Sequence, residues 1–114
     1  MMASAPSGFL SIKLRAAQAL VYDAARSGEG GFPDMLLAAQ AKVFTSESAI
    51  QVVNDALQFF GARGYSRELP LERMARDVRM FTIGGGTAEV LRNVVAGALL
   101  KKKLPQTREG WTKA

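Results

Sequence analysis

Residues 56–92 decide how this chain is read. They run from Ala56-Leu57-Gln58-Phe59-Phe60-Gly61-Ala62-Arg63-Gly64-Tyr65 to Arg76-Asp77-Val78-Arg79-Met80-Phe81-Thr82-Ile83-Gly84-Gly85-Gly86-Thr87-Ala88-Glu89-Val90-Leu91-Arg92. Two glycine-bearing breaks, about twenty residues apart, each follow an apolar stretch with helical spacing. Ile50, Val53, Leu57 and Phe60 lead into Gly61, and Leu71, Met74, Val78 and Phe81 lead into the glycine triplet. Intervals of three and four residues set one face of a helix, so the pattern is helix, break, helix, break, helix.

Working upstream, the helix that ends at Gly61 opens at Pro33 and Asp34, residues suited to a first turn. Only the polar Thr45-Ser46-Glu47-Ser48 interrupts its apolar character, and such a span makes ~40 Å of helix. Before it, Leu10, Leu14, Ala17, Val21 and Ala24 predict a helix from about Phe9 to Arg26. Ala16, Ala19 and Leu20 widen that stripe beyond a single side. Ser27-Gly28-Glu29-Gly30-Gly31 stops it.

Downstream, a shorter helix starts near Pro70 and runs to about Phe81, with Glu72 in its first turn. Thr87 caps the last helix, Glu89 lies in its first turn, and Val90, Leu91, Val94, Val95, Ala98 and Leu99 follow. Residues 1–8 read as a loose tail, 9–104 as the bundle and 105–114 as a polar tail in which Trp111 is a candidate for docking. No segment alternates like a strand. The expected fold is all-α, an antiparallel up-and-down helical bundle.

Composition limits the chemistry. A chain of 114 residues makes one domain. With no Cys and no His, it lacks disulfides, thiol nucleophiles, Cys/His metal sites and the commonest general base. Its ten acidic residues are scattered, so no metal site is expected. The absence of Cys fits a reducing compartment, and a cytoplasmic location is expected. No apolar run approaches the ~18 residues of a membrane span. Residues 1–8 lack the basic-then-apolar order of a secretory signal. The net charge of +5 raises nucleic acid as a partner. Apart from Lys101-Lys102-Lys103 the basic residues are dispersed, and cations after a helix are favoured by its dipole alone, so no nucleic-acid partner is expected.

Each break admits two readings. Gln58 to Tyr65 is a helix end with two core aromatics and a glycine cap. It is equally a place where Gly61 lets backbone approach a ligand and Gln58 offers a donor and an acceptor. Ile83 to Arg92 is an interhelical turn, or a helix amino terminus whose free N–H groups and dipole suit an anion.

Taken together these segments resemble the carboxyl-terminal helical domain of the flavin-dependent acyl-CoA dehydrogenases. Gln58 to Tyr65 is similar to the family's Gln-x-Phe-Gly-Gly-x-Gly-Tyr, and Ile83 to Arg92 to its Ile-Tyr-Glu-Gly-Thr-x-Glu-Ile-Gln-Arg. Between them, Leu69-Pro70-Leu71-Glu72-Arg73-Met74-Ala75-Arg76-Asp77 resembles Tyr-Pro-Val-Glu-Arg-x-x-Arg-Asp. The resemblance covers roughly residues 9–103. It implies that Gln58, Gly61 and Ala62 contact the pyrophosphate and adenosine part of FAD bound mainly by a neighbouring subunit. Thr87 and Glu89 are implied to contact the flavin cofactor. Ala62 stands where the family has a second glycine.

The family's catalytic glutamate falls on Gly85, and its neighbouring tyrosine on Gly84. Glycine cannot take a proton, so the chain supplies no catalytic residue. Members with glycine at this turn carry the base on a preceding helix. The family fold also has an amino-terminal helical domain, a middle β-domain and a further long helix ahead of these four. Those parts are expected to hold most of the FAD, the acyl-CoA pocket and the base. The implied parent reaction is α,β-dehydrogenation of acyl-CoA thioesters in fatty acid metabolism. Alone, the chain is expected to be inactive and to bind FAD weakly or not at all. Its expected partners are a second copy of itself, the missing amino-terminal domains or a partner subunit. The alternative is a non-catalytic helical interaction module, or a degenerate partner subunit that has lost flavin. A basic nucleic-acid binder, the third reading, predicts steeply salt-dependent binding.

Overall fold

The computed structural model describes residues 4–104, which form α1 (Ser4–Arg26), α2 (Met35–Phe60), α3 (Ala62–Tyr65), α4 (Leu71–Met80) and α5 (Ala88–Leu100). No strand occurs among the described residues, and the all-α bundle stands. α1 begins five residues before the expected Phe9, so residues 4–8 are helical rather than part of a loose tail. Pro6 permits this because a helix's first N–H groups have no intrahelical partner to lose. Met1–Ala3 and the expected polar tail, Trp111 included, lie outside the described residues.

α2 is the axis of the domain: α1, α3, α4 and α5 each pack against it, while α1 touches no other helix. Its buried residues explain how one helix serves so many partners. Ala39, Ser46 and Val53 repeat every seven residues along one side, and Ala41 and Ser48 do so along the opposite side. Four of these five are Ala or Ser, small enough for neighbouring backbones to approach. The polar Thr45–Ser48 stretch leaves the helix intact because its hydroxyls turn inward. Thr45 donates to the Ala41 carbonyl at 2.7 Å and Ser46 to the Lys42 carbonyl at 2.7 Å.

The α1–α2 turn is knit by side chains. Ser27 Oγ donates to the Ala24 carbonyl at 2.6 Å and accepts from the Asp34 N–H at 2.8 Å. Asp34 then caps α2, accepting from the Leu37 N–H at 3.0 Å. On α1, the face that meets α2 carries Leu10, Ala17, Leu20 and Ala24, while Leu14 and Val21 of the expected stripe stay about half exposed. One neighbouring helix covers only a narrow stripe, and α1 has one neighbour. On α4, likewise, Ala75 takes the inward place expected of Met74, and Phe81 remains half exposed.

The core is small. The buried apolar residues among those described are Ala24, Ala39, Ala41, Val53 and Ala88, so valine is the largest. α1 and α5 flank α2 without meeting, leaving a groove of about 540 Å³ lined by Leu20, Val43, Phe44, Val95 and Leu99.

Candidate functional site

At the end of α2, Gly61 adopts φ 57°, ψ −134°, and its N–H donates to the carbonyls of Leu57 and Gln58 at 3.1 and 3.2 Å. This is a conformation open to glycine, but not the left-handed helix end expected from sequence, because the chain turns at once into the single turn of α3. A Cβ on Gly61 would meet nothing within 4 Å, so the backbone here is open to approach. Gln58 and Ala62 are exposed beside it.

The tightly packed glycine is Gly64, which is buried. A Cβ there would lie 2.7 Å from the Leu57 carbonyl oxygen and 3.0 Å from Phe60 Cβ. Gly61 therefore serves the backbone path, and Gly64 the close contact between α3 and α2.

The second break is built around a residue that sequence reasoning missed. Lys42, about two turns into α2, donates from Nζ to the carbonyl of Gly84 at 2.5 Å and to the carbonyl of Gly86. Gly85 and Gly86 have φ of 68° and 92°, which glycine adopts without strain. Gly85, the position implied for the catalytic carboxylate, is exposed, and a Cβ on it would stand 3.8 Å from Lys42 Nζ. Thr82 is buried beneath the turn: its hydroxyl donates to the Arg79 carbonyl at 3.0 Å and accepts from the Arg79 guanidinium at 2.8 Å. Its carbonyl accepts from the Ala88 N–H at 3.0 Å, closing the loop onto α5.

Thr87 caps α5 as expected, its Oγ1 accepting from the Val90 N–H at 3.2 Å. Glu89 is exposed in the first turn. Its own backbone N–H, then the Thr87 hydroxyl, hold its carboxyl below the usual carboxylate range, with Arg92 and Arg79 adding to the effect. Thr87 and Glu89 border a cleft of about 310 Å³ that Glu47, Gln51, Arg79 and Thr82 also line. Sequence reasoning passed over Arg79 and Gln51, which show no motif of their own.

The structure brings Gly85, Thr87 and Glu89 together at one turn, and Gln58, Gly61 and Ala62 at another. It does not merge the two groups. Thr87 lies beside Gln51, and from there to Gly61 is about 15 Å of helix. No group of three or more side chains suited to hold a metal ion occurs among the described residues. No described helix is long and apolar enough to cross a membrane.

Residues 8–100 match the sequence profile described as "Acyl-CoA dehydrogenase, C-terminal domain". The chain is 57% identical over 105 residues to the 3-sulfinopropanoyl-CoA desulfinase of Advenella mimigardefordensis, covering 92% of this chain and 26% of that protein. It is 61% identical over 99 residues to the protein of the same name from Paraburkholderia xenovorans, covering 87% and 25%. In three dimensions it matches butyryl-CoA dehydrogenase from Megasphaera elsdenii with a TM-score of 0.81 and 40% identity, over 85% of this chain and 25% of that one. The chain spans about a quarter of the length of these relatives.

Proposed function

This chain belongs to the acyl-CoA dehydrogenase family, and we propose that it serves as the carboxyl-terminal helical portion of a flavin-dependent enzyme acting on an acyl-CoA thioester. In that role it supplies cofactor contacts and packing surface, not a catalytic base. One observation carries the reading: an open glycine turn beside Gln58 ends α2 and a capped amino terminus at Thr87 opens α5, which packs on α2, while the residue at the base position is Gly85.

The residues fit FAD, which when bound supplies the hydride acceptor for the family's dehydrogenation. Gly61 leaves room for a diphosphate to approach backbone, and Gln58 offers donors and an acceptor beside it. Ala62 adds a methyl group at the edge of that approach. At the other turn, the Thr87 end of α5 presents a positive dipole end to cofactor acceptors, with Glu89 alongside to receive a hydrogen bond. The separation of the two turns suits an extended dinucleotide, or two cofactors held between neighbouring subunits. The parts covering the bare sides of α1 are a second copy or the remaining domains of the enzyme, and the assembly works in the cytoplasm.

The parent reaction is α,β-dehydrogenation, with its base supplied from outside this chain. A second reading is favoured by the 57–61% identity to two 3-sulfinopropanoyl-CoA desulfinases: a substrate of that kind, a short acyl-CoA bearing a sulfinate. A reaction directed at a carbon–sulfur bond also fits a turn without a carboxylate.

The test is a chimera in which the matching carboxyl-terminal quarter of the Advenella mimigardefordensis protein is replaced by residues 9–103 of this chain. Retention of FAD is the expected result. A helical but colourless chimera would overturn the cofactor role and leave the interaction-module reading. Relative turnover of 3-sulfinopropanoyl-CoA and butyryl-CoA then separates the two reactions.

A further inference from the structure

Lys42 is 42 residues away in sequence from the first carbonyl it holds, and nothing in the glycine motif requires it. We propose that Lys42 is the positioning residue of the glycine turn: its ammonium gathers the Gly84 and Gly86 carbonyls and thereby aims the opposite sides of those two peptides outward. The inference deepens the cofactor reading above and rests on it for the identity of the ligand.

In a trans peptide the C=O and the following N–H point in opposite directions, and this chain has no cis peptide among the described residues. The Gly84 carbonyl shares its plane with the Gly85 N–H, and the Gly86 carbonyl with the Thr87 N–H. Drawing both oxygens onto Lys42, on the α2 side, turns both N–H groups away from α2. Neither N–H has a hydrogen-bond partner among the described residues, nor has that of Gly86, whereas Ile83 and Gly84 donate to the Met80 carbonyl and Ala88 to that of Thr82.

A run of three glycines would otherwise sample many conformations, since each lacks the Cβ that restricts φ and ψ. The clamp selects one. A charged donor suits the task, because its bonds to carbonyls are stronger than neutral ones. It delivers two donors oriented before any ligand arrives, at the amino end of α5 where an acceptor of the bound cofactor is already favoured.

The experiment uses the isotopically labelled chain without FAD, so that its outcome is independent of the cofactor reading. Cross-hydrogen-bond couplings between Lys42 Nζ and the carbonyl carbons of Gly84 and Gly86 are expected in the wild-type protein, and their absence overturns the proposal. Lys42→Met keeps the stem and removes the ammonium. It should shift the Gly85 and Thr87 amide signals by more than a linewidth, with helical circular dichroism unchanged, and Lys42→Arg should move them back toward wild type. As a control, Asp55→Asn, thirteen residues along α2 and outside the cleft beside Thr87, should leave both signals in place. Unmoved Gly85 and Thr87 signals in Lys42→Met, or equal shifts in the Asp55 control, would overturn the positioning role. If the Met variant does not fold, the couplings in wild type and the signals of Lys42→Arg decide. Adding FAD afterwards tests the other reading: wild-type signals that ignore FAD count against the cofactor contact and leave the Lys42 clamp as measured.

Discussion

Arg92 on α5 reaches both carboxylate oxygens of Glu47 on α2 through one terminal nitrogen, at 2.6 and 2.7 Å. With Lys42 one and a half helical turns away, α2 therefore grips both the start of α5 and the turn that precedes it. The Arg92 and Glu47 side chains are 51% and 41% exposed, so water and salt screen the pair. Glu47→Gln should cost about 1 kcal/mol or less, with the loss shrinking further in high salt, as read from urea denaturation.

The two glycines of the first break should behave differently. Gly64→Ala places a methyl group 2.7 Å from a backbone oxygen that cannot rotate away, and should destabilise the protein by up to about 3 kcal/mol. Gly61→Ala meets no atom within 4 Å, so its cost, roughly 1–3 kcal/mol, is backbone strain alone. Thermal denaturation of Ala and Leu variants tests the assignment: the added bulk should cost more at Gly64 and little more at Gly61, and the reverse order would overturn it.

Thr87→Val removes the cap of α5 and should cost about 1 kcal/mol. The Glu89 carboxyl is held below its ordinary range in the folded protein, so its contribution is present above the unfolded value and is lost as pH falls through the folded one. The stability difference between wild type and Glu89→Gln should therefore be largest near neutral pH and close on acidification below about pH 4. Denaturation across that range checks both sign and window. In the FAD-binding chimera, Thr87→Val and Gly61→Leu should each weaken cofactor retention.

Incubated with FAD, an acyl-CoA and an electron-accepting dye, the chain alone should show no turnover above background. Gly85 offers no base, and Thr87 and Glu89 serve the helix end. Turnover abolished by a Glu89 or Asp77 substitution would place the chemistry within this chain.

Self-association is expected as well. Phe9, Ile12, Leu14, Val21 and Tyr22 leave apolar surface bare around α1, each at least 47% exposed, while the largest buried apolar residue among those described is Val53. Large exposed apolar patches are uncommon on monomers. Light scattering should show a mass that rises with concentration, and Leu14→Glu should lower it while leaving the helices in place.

Local chemistry was legible in the sequence. The spacing of Ile50, Val53, Leu57 and Phe60, the Asp34 and Thr87 caps and the breaks at Gly61 and Gly84–Gly86 all act over a few residues, so they determined the helices and their ends. Tertiary structure alone decided three things. It set which side of α1 is covered, since Leu14 and Val21 are apolar but find no neighbour. It separated the backbone role of Gly61 from the packing role of Gly64, a difference that depends on where Leu57 and Phe60 stand. And it brought Lys42 beneath the glycine turn, because a lone lysine between Ala41 and Val43 looks like any solvated cation until the chain has folded back forty-two residues later to set two carbonyls before it.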